Sequence, residues 1–348
     1  MIETVFVTGA TGFVGSHVVK ALLDRGHNVI AAARGSKAEH LKKSCDKYAG
    51  RLRVVEVVDL AKDNLEKELV GITALIHVAT PSLLEMSLEE LIPATIESNM
   101  NIIRQAEKAG AKSIVVTGSA ISTTSLEGKA SNTTFNPITK EEALASQNPL
   151  MAYAAGKKYA EMAIWEWSET HPDVEVTILY PPWVFGPYVP DFYPVSPKNL
   201  STSKYLYGLV DPNGKCPWNA FFIDVRDLAN AHVNALKSPP ASKIGRKRVV
   251  IGSPELLDGR KALATLAEKR PQLASRLNQK EPPVNNSGKY ECDFARIEEV
   301  VGIKETDFLP LEQTILDTID DYISLEEQWI KEGHDVSIKV DLPDLVED

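Results

Sequence analysis

Cysteine is scarce in this sequence: Cys45, Cys216 and Cys292 are far apart and odd in number. No Cys-x-x-Cys pair or Cys/His cluster occurs, which argues against a zinc site or a disulfide framework and leaves inert thiols of a reducing compartment. No apolar run approaches the ~20 residues of a membrane span. The opening Met1-Ile2-Glu3-Thr4-Val5-Phe6-Val7 lacks the basic stretch and cleavage site of a signal peptide. The final Val346-Glu347-Asp348 matches no address tag. The Asn-x-Ser/Thr triplets at Asn132, Asn199 and Asn285 matter only in a secreted chain. A cytoplasmic protein is therefore expected, with no membrane partner and no metal. Positive charge is also short: 38 Lys and Arg against 48 Asp and Glu leave a formal net charge of −10. Such a surface repels phosphate backbones, so nucleic acid is not an expected partner. Internal repeats and low-complexity segments are missing as well.

What is present is ordinary globular composition, 43% hydrophobic and 25% charged over 348 residues, enough for a large core. Short β-branched and aliphatic runs at Thr4–Val7, Asn28–Ala33, Leu52–Val58, Ala74–Ala79, Ser113–Thr117 and Val174–Tyr180 predict buried strands. Helical spacing intervenes at Val14–Leu23, about Lys62–Leu69, Ser87–Ala109 and Ala152–Glu169. Strands apolar on both faces, alternating with helices, predict an α/β protein with a doubly wound parallel sheet of Rossmann type. The stretch Ala120–Pro149 is Ser/Thr/Asn-rich and carries no clear pattern. After Pro181 come Pro182, Pro187, Pro190, Pro194 and Pro197 with Trp183, Phe185, Tyr188, Phe192 and Tyr193, a stiff aromatic segment. Further on, Ala220–Ile223 and Arg248–Ile251 read as strands, and Val225–Leu236 and Leu263–Leu277 as helices. The expected division is a dinucleotide-binding domain over 1–180 that also receives segments around 220–252. A mainly substrate-binding lobe over 181–336 and an acidic tail over 337–348 complete it.

Val5-Phe6-Val7-Thr8-Gly9-Ala10-Thr11-Gly12-Phe13-Val14-Gly15 sets three glycines between the first strand and the first helix. Gly9 allows a tight turn, Gly12 lets backbone N–H groups approach a pyrophosphate, and Gly15 permits close helix packing. Thr11, Gly12, Phe13 and Val14 are thus candidate phosphate contacts. The spacing is GxxGxxG, not GxGxxG, and its strand–turn–helix context is what gives it weight. At the end of the second strand stand Arg34 and Lys37, with no acid to bind a ribose 2′-hydroxyl. A guanidinium fork suits a 2′-phosphate, which selects NADPH over NADH; a solvated surface arginine is the plain alternative. Asp59-Leu60 closes the third strand, either to accept from the adenine amino group or to cap a helix.

Met151-Ala152-Tyr153-Ala154-Ala155-Gly156-Lys157 contains Tyr-x-x-x-Lys, which on a helix places phenol and ammonium on one face. A nearby ammonium favours the phenolate and makes the tyrosine a usable acid, and Lys157 can also hold the nicotinamide ribose. Alone the pair is common by chance. Its weight comes from the fifth strand, which ends at Gly118-Ser119, where ligands of open parallel sheets bind. Ser119 can donate to a substrate carbonyl, or merely cap a turn; Ser122 is a second candidate. His77 reads as a core histidine, Asp224 as a helix N-cap, and Asp227 as a first-turn acid. Thr80, Pro81, Ser119, Ser122, Trp183 and Phe185 are the expected substrate pocket, apolar with few polar anchors.

Taken together, Gly9/Gly12/Gly15, Ser119, Tyr153 and Lys157 resemble the extended short-chain dehydrogenase/reductases. The most similar branch is the dihydroflavonol-4-reductase-like one, with fungal and yeast ketone, aldehyde and methylglyoxal reductases. Arg34, Ile76-His77-Val78-Ala79-Thr80-Pro81, Pro182-Trp183-Val184-Phe185-Gly186-Pro187 and Phe222-Ile223-Asp224-Val225-Arg226-Asp227-Leu228-Ala229 carry the likeness, which runs from about residue 4 to 330. The resemblance implies a Ser119–Tyr153–Lys157 triad, nicotinamide contacts from Pro181 and Val184, and backbone contacts near Val78, Ala79 and Thr80. Two positions depart: Gly156 stands where the family usually has Ser, and Thr95 where many relatives carry a proton-relay Asn. The expected function is NADPH-dependent reduction of a small carbonyl substrate by a monomer or homodimer. A redox-neutral epimerase or dehydratase and a non-catalytic dinucleotide-sensing regulator are the alternatives, the first disfavoured by Arg34 and the second by the retained Tyr/Lys pair.

Overall fold

Alternating short apolar runs and amphipathic stretches give, in chain order, strands β1 (Thr4–Thr8), β2 (Asn28–Ala33), β3 (Leu52–Glu56), β4 (Ala74–His77), β5 (Ser113–Thr117), β6 (Glu175–Tyr180), β7 (Trp183–Phe185), β8 (Ala220–Asp224), β9 (Lys247–Val250) and β10 (Leu256–Leu257). The helices are α1 (Phe13–Asp24), α2 (Gly35–Lys43), α3 (Leu88–Lys108), α4 (Lys140–Ala145), α5 (Pro149–Glu169), α6 (Lys204–Tyr207), α7 (Val225–Ala235), α8 (Ala241–Ile244), α9 (Gly259–Lys269), α10 (Phe294–Val301) and α11 (Leu311–Lys331). The computed structural model describes residues 2–48, 50–81, 86–125, 128–190, 192, 195–197, 200–217, 219–282 and 292–336. The expected acidic tail, and Tyr193 and Pro194 of the aromatic segment, lie outside the described residues.

Among the described residues, β1–β6 and β9 form one sheet in the order β3-β2-β1-β4-β5-β6-β9, parallel at every pairing. Residues alternate between its faces, as the two-residue period of a strand requires. Val5 and Val7 join a core with Val18 and Leu22 of α1 and Leu228 of α7. Phe6 joins the opposite core with Ile102 and Ile103 of α3 and Ile164 of α5. Strand order reverses between β1 and β4, which opens a crevice at their carboxyl ends. A second sheet, β10-β8-β7, backs a separate core of Phe185, Tyr205, Phe222, Leu266, Ile315 and Trp329. No helix among the described residues is long and apolar enough to cross a membrane.

Two expected helices differ. Lys62–Leu69 forms turns, although Leu65 and Leu69 are buried. Side chains satisfy the backbone there instead of a helical ladder. Asp63 accepts from the N–H of Val58 and Asp59, Asp59 from Ala61, and Gln105 from Leu65. Leu263–Leu277 is split, because Pro271 cannot donate: α9 ends at Lys269 and a 3-10 turn covers Pro271–Arg276. The unpatterned stretch after Ala120 contains α4, opened by a capping box between Thr139 and Glu142. The 21-residue α11 has no counterpart in the sequence reading, although Leu311, Ile315, Ile319 and Tyr322 mark its buried face.

Candidate active site

The glycine turn lies at the mouth of the crevice. Gly9 has φ +67, and a Cβ there would stand 2.9 Å from the Ala79 nitrogen at the end of β4. Gly15 packs tighter still, since its Cβ would meet Gly9 O at 2.0 Å. Gly12 is the N-cap of α1 and caps it with no side chain, and the first turn carries no acid. The N–H groups of that turn therefore open toward an anion, within a cradle that side chains would fill. Thr8 ties the turn to β4 by accepting from the N–H groups of Val78 and Ala79, both at 3.2 Å. The same hydroxyl shares a hydrogen bond with His77 Nδ1 at 2.7 Å. His77 is a core histidine as expected; burial, then the Lys157 ammonium, lower its pKa to about 3.

Arg34 is exposed at the carboxyl end of β2, where it is the N-cap of α2. Lys37 lines a cleft with Thr11, Gly12, Phe13, Tyr188 and Phe192. The acid that β2 lacks arrives from its neighbour. β3 pairs Glu56 with Ala33, and the Glu56 carboxylate accepts from the Gly35 N–H at 3.2 Å, at the amino end of α2. The Asp59 carboxylate accepts from the Ala61 N–H and pairs with Lys62 at 3.3 Å, so it caps a turn; the Leu60 carbonyl accepts from Asn101.

Across the crevice, Asn148 caps α5 by accepting from the Leu150 N–H, and Pro149 occupies its first turn. Tyr153 and Lys157 then follow one turn apart. Burial raises the Tyr153 pKa, and the Ser119 side chain beside the phenol lowers it. Lys157 is buried and donates to Thr80 Oγ1 at 2.8 Å and to the Thr117 carbonyl at 2.9 Å. Its Nζ lies 5.9 Å from the centre of the Tyr153 ring, and burial lowers its pKa to about 8. The ammonium is thus beside the phenol's ring and hydrogen-bonded to the strand ends, not to the phenol oxygen. Ser119, Tyr153 and Lys157 thus lie together at the ends of β4 and β5.

Other expected residues sort by burial. Thr80 and Pro81 are half-buried at the end of β4, next to the half-buried Val78 and Ala79. The Pro181 carbonyl accepts from the Ala120 N–H at 3.0 Å, which sets it against the Ser119 turn. Val184 is buried and its carbonyl accepts from Thr202. Trp183 is half-buried and stacks on Tyr205. Two pocket candidates are corrected. Ser122 is fully buried and donates to the Ser119 carbonyl at 2.8 Å, so it closes the turn instead of facing a ligand. Phe185 is also fully buried, stacked between Tyr205 and Phe222 in the core of the second sheet. β7 alternates, so Trp183 and Phe185 share a face, and that face packs inward.

The two departures from the family pattern touch each other. A Cβ at Gly156 would stand 3.2 Å from Thr95 Oγ1, so Thr95 fills the room that the glycine leaves. The Thr95 hydroxyl donates to the Leu91 carbonyl at 2.7 Å, within its own helix. Asp224 caps α7 as expected and also holds Arg226 and Thr314. Asp227 accepts from the Leu309 N–H, and burial raises its pKa to about 7. What the sequence reading missed is the support from α11. Asp321 accepts from the Tyr188 N–H at 2.9 Å, and the Tyr188 ring packs on Phe13 with centroids 4.9 Å apart. His17 Nε2 bonds the Pro187 carbonyl at 2.9 Å, so the Pro-rich segment is pinned over the glycine turn from both sides.

A parallel sheet with a glycine turn at its strand-order reversal, and a Ser/Tyr/Lys cluster beside it, defines a dinucleotide-binding enzyme of the extended short-chain dehydrogenase type. The chain belongs to the NAD dependent epimerase/dehydratase family, whose model matches residues 5–252. It is 30% identical to the NADPH-dependent methylglyoxal reductase of Saccharomyces cerevisiae, covering 93% of this chain and 99% of that one. It is 29% identical to aldehyde reductase 2 of Sporidiobolus salmonicolor, covering 77% and 81%. The crystal structure of the yeast methylglyoxal/isovaleraldehyde reductase complexed with NADPH superposes with TM-score 0.79, at 27% identity over 93% of this chain and 99% of that one.

Proposed function

We propose that this chain is an NADPH-dependent reductase of small hydrophobic or aromatic ketones and aldehydes, with Tyr153 as general acid. The observation that carries the reading is the Tyr153 phenol beside Ser119, with the Lys157 ammonium buried one turn along, 5.9 Å from the phenol ring and hydrogen-bonded to Thr80 and Thr117, across the crevice from the glycine turn. The cradle fits a dinucleotide: Gly12 and its neighbours for the pyrophosphate, Arg34 and Lys37 for the 2′-phosphate. Bound there, NADPH supplies the hydride.

The protein's own residues do the rest. Ser119 donates to the carbonyl oxygen and stabilises the negative charge that develops on it. Tyr153 gives its proton to the same oxygen. Burial, which raises the Tyr153 pKa, keeps the phenol protonated at neutral pH, so it stands ready as an acid. Lys157 brings positive charge beside the ring and makes the tyrosine easier to deprotonate. The half-buried Thr80 and Pro81, at the end of β4, line the substrate side. The substrate lobe comprises the β7–β8–β10 sheet with α9 and α11, while α7 and β9 return to the main sheet. The support is the convergence of these groups together with the likeness to named carbonyl reductases. The protein is expected in the cytoplasm.

A panel of aromatic ketones, aldehydes and diketones, followed by loss of NADPH absorbance, tests the reading. Tyr153→Phe is expected to lower turnover by about 10²–10⁴ while NADPH binding, read by fluorescence, persists. Near-normal turnover by that variant removes Tyr153 from the acid role. A tightly retained dinucleotide with no NADPH consumed on any carbonyl favours the redox-neutral chemistry of the same family.

A further inference from the structure

Lys157 is a buried ammonium on which no carboxylate among the described residues acts. The titratable groups facing it are Tyr153, on its own helix, and His77 on β4, which is held neutral. A buried charge without a counter-ion keeps its place only when neutral oxygens take its hydrogens. Two do: the Thr80 hydroxyl at 2.8 Å and the Thr117 carbonyl at 2.9 Å. Helix α3, packed against α5, offers nothing. Its buried polar side chains Thr95, Ser98 and Asn99 all donate into their own helix, to the carbonyls of Leu91, Thr95 and Thr95. The Thr117 carbonyl is backbone, fixed at the end of β5. That leaves Thr80, half-exposed at the end of β4, as the side chain that sets where the ammonium sits.

The geometry points to Thr80 as a positioning residue: its hydroxyl oxygen anchors the Lys157 ammonium beneath the crevice, the part that α3 leaves unfilled. The inference rests on the reading of Lys157 as part of a reductase site. Its consequence is nevertheless measurable without cofactor or substrate. Replacing the hydroxyl by a methyl leaves the ammonium one acceptor short, which favours the neutral amine. Serine keeps the oxygen.

The test compares Thr80→Val and Thr80→Ser in the full-length protein with two readouts. The first is the titration of Lys157 Nζ by ¹⁵N NMR in the cofactor-free protein, the signal being assigned by its loss in Lys157→Met. The second is kcat and KM in carbonyl reduction. Thr80→Val is expected to titrate at lower pH than wild type and to lose kcat on the order of tenfold at pH 7. Thr80→Ser is expected to restore both. An unmoved Lys157 titration in Thr80→Val overturns the inference, whether or not kcat falls, because Thr80 then acts on something other than Lys157. A titration that moves in Thr80→Val while the wild type reduces no carbonyl keeps the anchor and sinks the reductase reading instead. If the valine variant fails to fold, Thr80→Ala serves in the same two measurements.

Discussion

Removing the Lys157 ammonium should make the protein more stable at neutral pH and less stable in alkali. Burial lowers this lysine from the free value of 10.5 to about 8. In the window between those values the unfolded chain holds a proton that the folded chain has lost. Stability therefore rises with pH across it. The cost of burying the charge is fully present below about 8 and gone above 10.5. At ~1.36 kcal/mol per pH step, that cost comes to about 3 kcal/mol. Lys157→Met escapes it but forfeits the bonds to Thr80 and Thr117, worth ~1 kcal/mol each. The variant should thus be about 1 kcal/mol more stable than wild type at pH 7 and about 2 kcal/mol less stable at pH 10.5, the two curves crossing between. Urea unfolding of both proteins at half-unit pH steps reads the difference directly, and other titrating groups cancel in it. A stability difference that stays constant from pH 7 to 10.5 would refute the claim that this ammonium is buried without a counter-ion. The same variant is expected to be inactive at every pH, so that stability and turnover move in opposite directions at pH 7.

At the adenine end, Arg34→Ala is expected to weaken NADPH about tenfold more than NADH, while Glu56→Gln shifts the preference severalfold the other way by removing a carboxylate from the amino end of α2. Fluorescence titration with both cofactors measures this, and equal losses for the two would take Arg34 out of 2′-phosphate recognition. In the glycine turn, Gly15→Ala sets a Cβ 2.0 Å from Gly9 O, so the turn must open and stability should fall by about 1–3 kcal/mol. A variant whose Tm rises on adding NADPH as much as wild type's would show that the closeness of that packing is not what shapes the cradle.

The parts of the site that could be read from sequence are those whose geometry is local. Three glycines between a strand and a helix have few conformations open to them, and a tyrosine four residues before a lysine on a helix shares its face. Ser119 was legible for a related reason, since the end of a central parallel strand points to the crevice in any sheet of this type. The misplaced residues depended on pairings that no local pattern encodes. Phe185 and Trp183 read alike as aromatic lining, yet the face that β7 presents is set by its pairing with β8. Ser122 lost its candidacy to a turn three residues long, in which its hydroxyl bonds the carbonyl of Ser119 itself. In the segment expected as a helix over Lys62–Leu69, Asn101 and Gln105 reach across from α3 to take the Asp63 carbonyl, and Gln105 accepts from the Leu65 N–H.

Two features show how non-local terms change the chemistry as well as the fold. The end of β2 carries no acid, which alone reads as a clean preference for a 2′-phosphate. Parallel register with β3 then sets Glu56 opposite Ala33 and its carboxylate on the Gly35 N–H, so a carboxylate as well as Arg34 stands at the start of α2. The second is the pair Gly156 and Thr95. Taken singly, each is a departure that leaves a relay in doubt; in the structure each explains the other, because a larger side chain at 156 would press on the Thr95 hydroxyl at 3.2 Å. With that hydroxyl turned into its own helix, the ammonium of Lys157 has to be held from the strand ends instead. In this chain the inward turn of the Thr95 hydroxyl and the hold of Thr80 on Lys157 are thus two sides of one arrangement around α5.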